Sequence, residues 1–142
     1  MPDLRVFLDA NVLFTAAYSP NGLSALLIEV AVAARLALLT SQLAVIEARR
    51  NLEVKGPKAL PRLDRYLRVV EAVAEPGPRD VDRLTPETLA PKDRPILAAA
   101  IVARATHFVT GDHHDFGPWM GSRAKLPLLV MTPRQFLDAA RA

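Results

Sequence analysis

Short apolar segments alternate along this chain with longer segments of helical periodicity, and this alternation restricts the possible folds more than any other feature. The apolar segments are too short for helices and are rich in β-branched and aromatic residues, which indicates strands. They lie at residues 4–8, 36–40, 107–110 and 128–131, with a less distinct one at 70–75. Strands that alternate with helices form βαβ units. We therefore expect an α/β fold, with a mostly parallel sheet covered by helices on both faces.

The predicted helices have recognisable boundaries. Ser41 is a suitable N-cap for a helix over residues 42–55, and Gly56-Pro57 breaks that helix. The proline-rich stretch 76–91 is predicted to be a connection with at most one short helix. The pattern assigns no element to residues 10–18. The other predicted helices cover residues 23–34, 60–70, 96–105 and 134–140.

Composition excludes several classes of protein. The chain has 142 residues, of which 51% are hydrophobic and 23% charged, and this suits a single folded domain over residues 1–142. Because there is no cysteine, a disulfide framework, thiolate zinc and thiol catalysis are excluded. No apolar run is long enough to cross a bilayer, and the first residues do not resemble a secretory signal. We therefore expect a cytoplasmic protein with no membrane partner.

Two of the predicted strands end at acidic residues. Asp9 follows the first strand and Asp112 follows the fourth, with Asp115 three residues later. In parallel sheets, ligands bind beyond the carboxyl ends of the strands, where the strand order reverses. If the first and fourth strands are neighbours, about 4.8 Å apart, Asp9 and Asp112 could share one divalent cation, because unpaired carboxylates that close repel each other. Oxygen ligands favour Mg²⁺ or Mn²⁺.

Each candidate residue also has a purely structural interpretation. Asp9 could cap a helix or a turn, and Asp93 could cap the helix that follows it. Glu47 lies on a largely apolar stretch of helix but could be an exposed partner of Arg50. Asn11 could orient Asp9, or it could form an Asx turn.

Positive charge is concentrated between residues 49 and 68. This segment has seven cations and two acids and so carries +5, whereas the whole chain carries +3. Such a segment could attract a polyanion, or it could be an ordinary solvated helix face. The cations that could contact a nucleic acid are Arg49, Arg50, Lys55, Lys58, Arg62 and Arg65.

Several separated segments resemble the motifs of the PIN-domain family. Residues 7–13 (FLDANVL) resemble its opening motif, and residues 45–49 (VIEAR) resemble its helical Glu segment. Residues 93–100 resemble its third acidic motif, in which an Asp begins an Ala-rich helix. Residues 109–116 resemble the fourth motif, and residues 130–137 its closing strand and helix. The motifs occur in the family's order over nearly the whole chain, and the branch they resemble most is that of the VapC-like toxins.

The resemblance implies a three-layer α/β/α sandwich with a five-stranded sheet of order 3-2-1-4-5. It implies a metal-dependent endoribonuclease, the toxin of a toxin–antitoxin pair, with Mg²⁺ or Mn²⁺ as cofactor. The implied partners are RNA, a small antitoxin protein and a second copy of the chain in a homodimer. Asp9, Asp93 and Asp112 would hold the metal most directly. The implied catalytic set is Asp9, Glu47, Asp93, Asp112 and Asp115, supported by Asn11 and Thr110.

The chain departs from the family's pattern at Ala10, where Thr or Ser is common. The segment between Glu47 and Asp93 does not follow a pattern of the family, so the resemblance does not imply a particular RNA target. One alternative is a non-catalytic PIN-like module that binds metal, RNA or a partner; the complete acidic set argues against it. A second is an aspartate-based phosphotransferase or receiver domain. The phosphatase form would need an Asp at position 11, which is Asn11 here.

Overall fold

Five parallel strands form the sheet in the computed structural model, which describes residues 3–121 and 126–141. Every strand pair within these residues is parallel, and the strand order is β3-β2-β1-β4-β5. The predicted sheet and its order are therefore confirmed. The order reverses between β1 and β4, the position where α/β sheets bind ligands. The strands are β1 (Arg5–Leu8), β2 (Ala37–Ser41), β3 (Glu71–Val73), β4 (His107–Val109) and β5 (Leu129–Met131).

Helices flank this sheet. Two short 3₁₀ turns, Pro57–Ala59 and Gly117–Trp119, accompany them. In the described part of the chain, no helix has both the length and the apolar character needed to cross a membrane. The α-helices are α1 (Ala10–Tyr18), α2 (Leu23–Ala33), α3 (Gln42–Lys55), α4 (Leu60–Tyr66), α5 (Pro78–Leu84), α6 (Arg94–Val102), α7 (His113–Phe116) and α8 (Pro133–Arg141).

The two central strands are completely buried over most of their length. Phe7 of β1 and Phe108 of β4 are neighbours in the register, and their rings stack with centroids 5.4 Å apart. Parallel strands that are covered on both faces need such continuous apolar runs. The register continues through Leu8 and Val109 to the ends of both strands. The residues that follow β1 and β4 are thereby brought side by side.

Helix α1 is the one long element that the sequence pattern did not assign. It packs against α2, α3 and α4 at once, so it lacks the broad polar face that makes a helix recognisable from periodicity. The less buried side of the helix still carries the aromatic residues Phe14 and Tyr18. The buried residues are Ala10, Val12, Leu13, Ala16 and Ala17.

Two predicted helices had wrong boundaries. The helix predicted over residues 60–70 ends at Tyr66, and tight turns lead from it to the short edge strand β3. The helix predicted over residues 96–105 runs from Arg94 to Val102. Arg104 there adopts the left-handed conformation, with φ of 61°, which ends the helix before β4. The single short helix allowed for residues 76–91 is present as α5.

Candidate metal centre

Asp9 lies at the carboxyl end of β1 and is only 3% exposed. Its amide donates to the Val109 carbonyl at 3.0 Å, which places it beside the end of β4. Its Oδ1 accepts a hydrogen bond from the Ala10 amide at 2.7 Å. Its Oδ2 accepts from Thr110 Oγ1 at 2.8 Å and from Asn11 Nδ2 at 3.2 Å. Asp9 therefore caps α1 and also borders the cavity described below, so its structural and functional interpretations are compatible.

Asn11 and Thr110 connect the start of α1 to the loop after β4. Asn11 Oδ1 accepts from the Gly111 amide at 2.7 Å, and its Nδ2 also donates to Thr110 Oγ1 at 3.1 Å. Thr110 Oγ1 in turn accepts from the Asp112 amide at 3.0 Å. We call Asp9, Asn11 and Thr110 the Asp9 network. In it, the two residues predicted to support the site are hydrogen-bonded directly to Asp9.

Asp93, Asp112 and Asp115 form a second group, which we call the three-carboxylate group. One carboxylate oxygen from each residue lies within 4.8 Å of the other two. Asp112 caps α7, since its Oδ1 accepts from the Asp115 amide at 2.9 Å. Asp93 stands at the N-cap position of α6, but its side chain accepts no capping hydrogen bond. Capping therefore does not account for the Asp93 side chain.

The Asp93 carboxylate has an unusual environment. Asp93 is 5% exposed, and its Oδ2 is buried with no hydrogen-bond partner among the described residues. Burial and a proton shared with the Asp115 carboxylate together raise the pKa of Asp93 to about 7, while the charge of Lys92 opposes the shift. The same shared proton lowers the pKa of the more exposed Asp115. Without a cation, the pair therefore holds its proton on Asp93.

Asp9 is also shifted towards the neutral form. Burial is the largest cause that raises its pKa to about 6, and the hydrogen bonds from Thr110 and the Ala10 amide oppose the shift. The nearby charges of Glu47 and Asp112 contribute to the same raised value. Glu47 and Asp112 therefore influence the Asp9 carboxylate, although Asp9 is not part of the three-carboxylate group. The acidic residues of the site thus form one electrostatic unit.

A cavity of about 490 Å³ lies over this edge of the sheet. Glu47 of α3 faces it, together with Asp9, Asp93 and Asp112. Asp115 borders instead a second cavity of about 490 Å³, which is also lined by His114 and Trp119. The structure thus brings all five predicted acidic residues to one region, with Asp9 and Glu47 beside the three-carboxylate group.

Sequence reasoning missed several residues that line the first cavity. Most of them come from α1, α2 and α3, and nothing in their sequence marks them as part of a site. Lys92 was also missed, although its position directly before Asp93 could have indicated it. The missed lining residues include Phe14, Thr15, Ser24, Asn51 and Lys92.

The donor set fits a hard divalent cation. The three-carboxylate group offers oxygen ligands, which Mg²⁺ and Mn²⁺ prefer. The buried Asp93 Oδ2 lacks a hydrogen bond, and a bound cation would supply the missing interaction. A cation would also favour the ionised forms of Asp9 and Asp93, whose pKa values are raised without one.

Among the predicted nucleic-acid contacts of the basic segment, Lys55 lies at the first cavity. Lys55 lines it, with Nζ 5.7 Å from the centroid of the Phe14 ring. Arg49 pairs with Asp64 at 2.9 Å, and Arg62 donates to the Ala17 carbonyl. The remaining predicted nucleic-acid contacts are exposed: Arg50, Lys58 and Arg65.

Comparison with known proteins identifies a family for this chain. A family model described as a PIN domain matches residues 5–114, well over half of the chain. The matched region contains Asp9, Glu47, Asp93 and Asp112, and it ends one residue before Asp115. PIN domains are in general metal-dependent nucleases. No curated protein is similar enough to the chain to count as a match.

Proposed function

We propose that this chain, which belongs to the PIN-domain family, is a metal-dependent endoribonuclease that hydrolyses phosphodiester bonds in RNA. The family supports a nuclease. The observation that carries the proposal for this chain is the three-carboxylate group beside Asp9, with a buried Asp93 oxygen that has no hydrogen-bond partner. A group of carboxylates at the switch point of a parallel sheet is suited to holding Mg²⁺ or Mn²⁺ against a phosphate.

The acidic residues would have different roles. Asp9, Asp93 and Asp112 would hold the metal, which when bound supplies Lewis acidity and lowers the pKa of a water molecule. Thr110 and Asn11 keep the Asp9 carboxylate oriented through their hydrogen bonds to its Oδ2. Glu47 and Asp115, at the margins of the group, would orient the attacking water. The water oxygen bonds to phosphorus as the water gives up a proton to solvent. The bond between phosphorus and the 3′ oxygen breaks, and the 3′ oxygen takes up a proton from solvent, which leaves a 5′-phosphate and a 3′-hydroxyl.

The basic segment would bind the RNA backbone without reading its sequence. Lys55 is placed for this role because it lines the cavity that holds Asp9 and Asp93. The exposed cations Arg50, Lys58 and Arg65 would extend the contact along the strand. Such binding weakens as the salt concentration rises, since each phosphate contact releases counterions.

Cleavage of mixed cellular RNA tests the function. Wild-type protein should cut RNA with Mg²⁺ or Mn²⁺ and stop cutting when EDTA is added. Asp9→Asn should lose the activity, because the neutral amide no longer attracts the cation, and calorimetry should show that the variant is folded. Asp138→Asn is the matched control: the same substitution on the exposed surface of α8 should leave cleavage unchanged.

A non-catalytic PIN-like module is the competing function. Intact RNA with both wild type and Asp9→Asn, each folded and each with metal present, would favour that module and refute the nuclease. Cleavage of DNA but not RNA would retain the metal chemistry and change the substrate.

The role as a toxin follows from the resemblance to VapC-like proteins and is part of the proposal. A small antitoxin would cover the acidic cavity, and the chain would form a homodimer. Expression of the wild type should then arrest bacterial growth, whereas expression of Asp9→Asn should not. Equal growth with both proteins would contradict the toxin role and leave the nuclease to be judged by the cleavage assay.

A further inference from the structure

Lys92 is a basic residue at the margin of the acidic site. Its Nζ lies 3.8 Å from Asp93 Oδ1, and its side chain lines the same cavity as Asp9 and Asp112. This distance is too long for a hydrogen bond, and the Lys92 side chain is 67% exposed. Lys92 is therefore paired with Asp93, but the Lys92 side chain is largely in solvent and is free to move.

Lys92 lies among carboxylates. It is paired with Asp93 and lines the same cavity as Asp9, Glu47 and Asp112. The Lys92 ammonium is thus the positive charge that the site itself places beside its buried carboxylate. Lys55 borders the same cavity from α3, but its Nζ lies over the Phe14 ring.

We propose that Lys92 is the counter-charge of the acidic site in the metal-free protein and a ligand of the scissile phosphate once a divalent cation has taken over that charge. The inference rests on the proposed nuclease function. A divalent cation beside Asp93 repels the nearby Lys92 ammonium, because like charges separated by a few ångströms raise each other's energy. The phosphate that binds to the cation is an anion next to the displaced ammonium.

The chemistry of a lysine side chain suits both roles. Its four-carbon stem is flexible, and its ammonium group is a compact charge with three donors, which can move from Asp93 Oδ1 to a phosphate oxygen without losing its proton. A donor aimed at a non-bridging oxygen stabilises the charge that develops there during hydrolysis. Lys92 should therefore oppose metal binding and favour turnover. No purely structural role predicts these two opposite effects.

Calorimetric titration of the metal-free protein with Mn²⁺ tests the first role. Lys92→Gln should bind Mn²⁺ about fivefold more tightly, because a neighbouring positive charge has been removed. Lys92→Arg, which keeps the charge, should bind like wild type. Lys55→Gln is the matched comparison, since it removes the same charge from the other wall of the cavity, and it should leave Mn²⁺ affinity unchanged.

Cleavage kinetics at saturating Mn²⁺ test the second role. Lys92→Gln should lower kcat by at least about tenfold, since a donor to the reacting phosphate is missing. Lys55→Gln should mainly raise KM, because Lys55 contacts the backbone away from the reacting phosphate. Arg79→Gln removes an exposed charge outside both cavities and should change neither readout.

The outcomes separate this inference from the proposed function. Lys92→Gln with wild-type Mn²⁺ affinity and wild-type kcat, from a wild type that cuts RNA, would overturn the inference and leave the nuclease standing. Tighter Mn²⁺ binding with unchanged kcat would overturn the phosphate role alone. If wild type cuts no RNA, the nuclease and the phosphate role fail together, and the titration still decides the counter-charge role.

Discussion

The Asp9 network and the three-carboxylate group lie at the same edge of the sheet, yet their carboxylates are held by different means. Asp9 accepts three hydrogen bonds from the protein. Asp93, equally buried, has an oxygen with no partner among the described residues and a proton shared with Asp115. The protein itself orients the first carboxylate, whereas a cation would have to organise the second group.

The difference follows from where the two sets stand in the fold. Asp9 and Thr110 directly follow the central strands β1 and β4, whose register is fixed by stacked phenylalanines. Asp93 and Asp112 stand at the starts of α6 and α7, and α7 is only four residues long. A site built in this way has one rigid side and one side that its ligand completes. Substitutions in the Asp9 network can therefore be compared with substitutions in the three-carboxylate group.

Asp93→Asn should have the largest effect. Mn²⁺ should bind more than about 100-fold more weakly, because a direct ligand is worth more than the outer-shell partners whose loss costs that much. The metal-free variant should nevertheless melt at a higher temperature than wild type, since a buried carboxylate with an unpartnered oxygen becomes a neutral amide. Calorimetric titration and thermal melting measure the two effects. A lower melting temperature would mean that Asp93 is stabilised by contacts other than those described.

The pH dependence of stability should show how much the ionisation of Asp9 and Asp93 destabilises the folded, metal-free protein. Between the usual pKa of 3.8 and the raised values of about 6 for Asp9 and about 7 for Asp93, the folded chain binds more protons than the unfolded chain. The free energy of unfolding of the metal-free protein should therefore fall as the pH rises from 4 to 7. Asp9 alone should account for about 3 kcal/mol of this fall.

Urea unfolding at a series of pH values, with and without Mn²⁺, measures this dependence. Saturating Mn²⁺ should reduce the fall, because the cation favours the ionised carboxylates. Asp93→Asn should remove the part of the fall nearest neutral pH. A metal-free protein whose stability rises with pH over this range would show that the carboxylates are stabilised in their ionised forms.

Thr110→Val should have a smaller effect, confined to the rigid side. The hydroxyl donates to Asp9 Oδ2 and accepts from the Asp112 amide, so valine of similar shape should destabilise the protein by about 2 kcal/mol. Thr110→Ser, which keeps the hydroxyl, is the matched control and should lose less. Chemical denaturation distinguishes them. Equal losses would assign the effect to the methyl group and not to the Asp9 network.

Most of the fold could be predicted because its strands are short, apolar and well separated. The ends of β1 and β4 can be identified in the same way, so the sequence predicts that Asp9 and Asp112 lie at the carboxyl ends of two strands. Helix α1 could not be identified, since aromatic residues (Phe14 and Tyr18) also occupy its less buried side and no clear polar face remains. The end of α4 could not be separated from β3, because β3 is a three-residue edge strand that begins shortly after the helix.

The far wall of the cavity was beyond sequence reasoning for a related reason. Ser24 and Asn51 belong to helices whose rotation about their own axes is decided by packing against α1, and a linear pattern does not contain that packing. The hydrogen bonds of Asn11 to Thr110 and Gly111 join positions about a hundred residues apart and depend on the register of β1 with β4. A role for Asn11 could be suggested from the sequence, but its partners could not be identified.

Trp119 gives the site a built-in optical reporter. It is the only tryptophan of the chain and borders the second cavity together with Asp115, which belongs to the three-carboxylate group. Indole fluorescence of this chain therefore comes from a single place in the molecule. Changes in its intensity or colour during a titration would follow events around Asp115 in the unlabelled protein, and stopped-flow recording would give their rates.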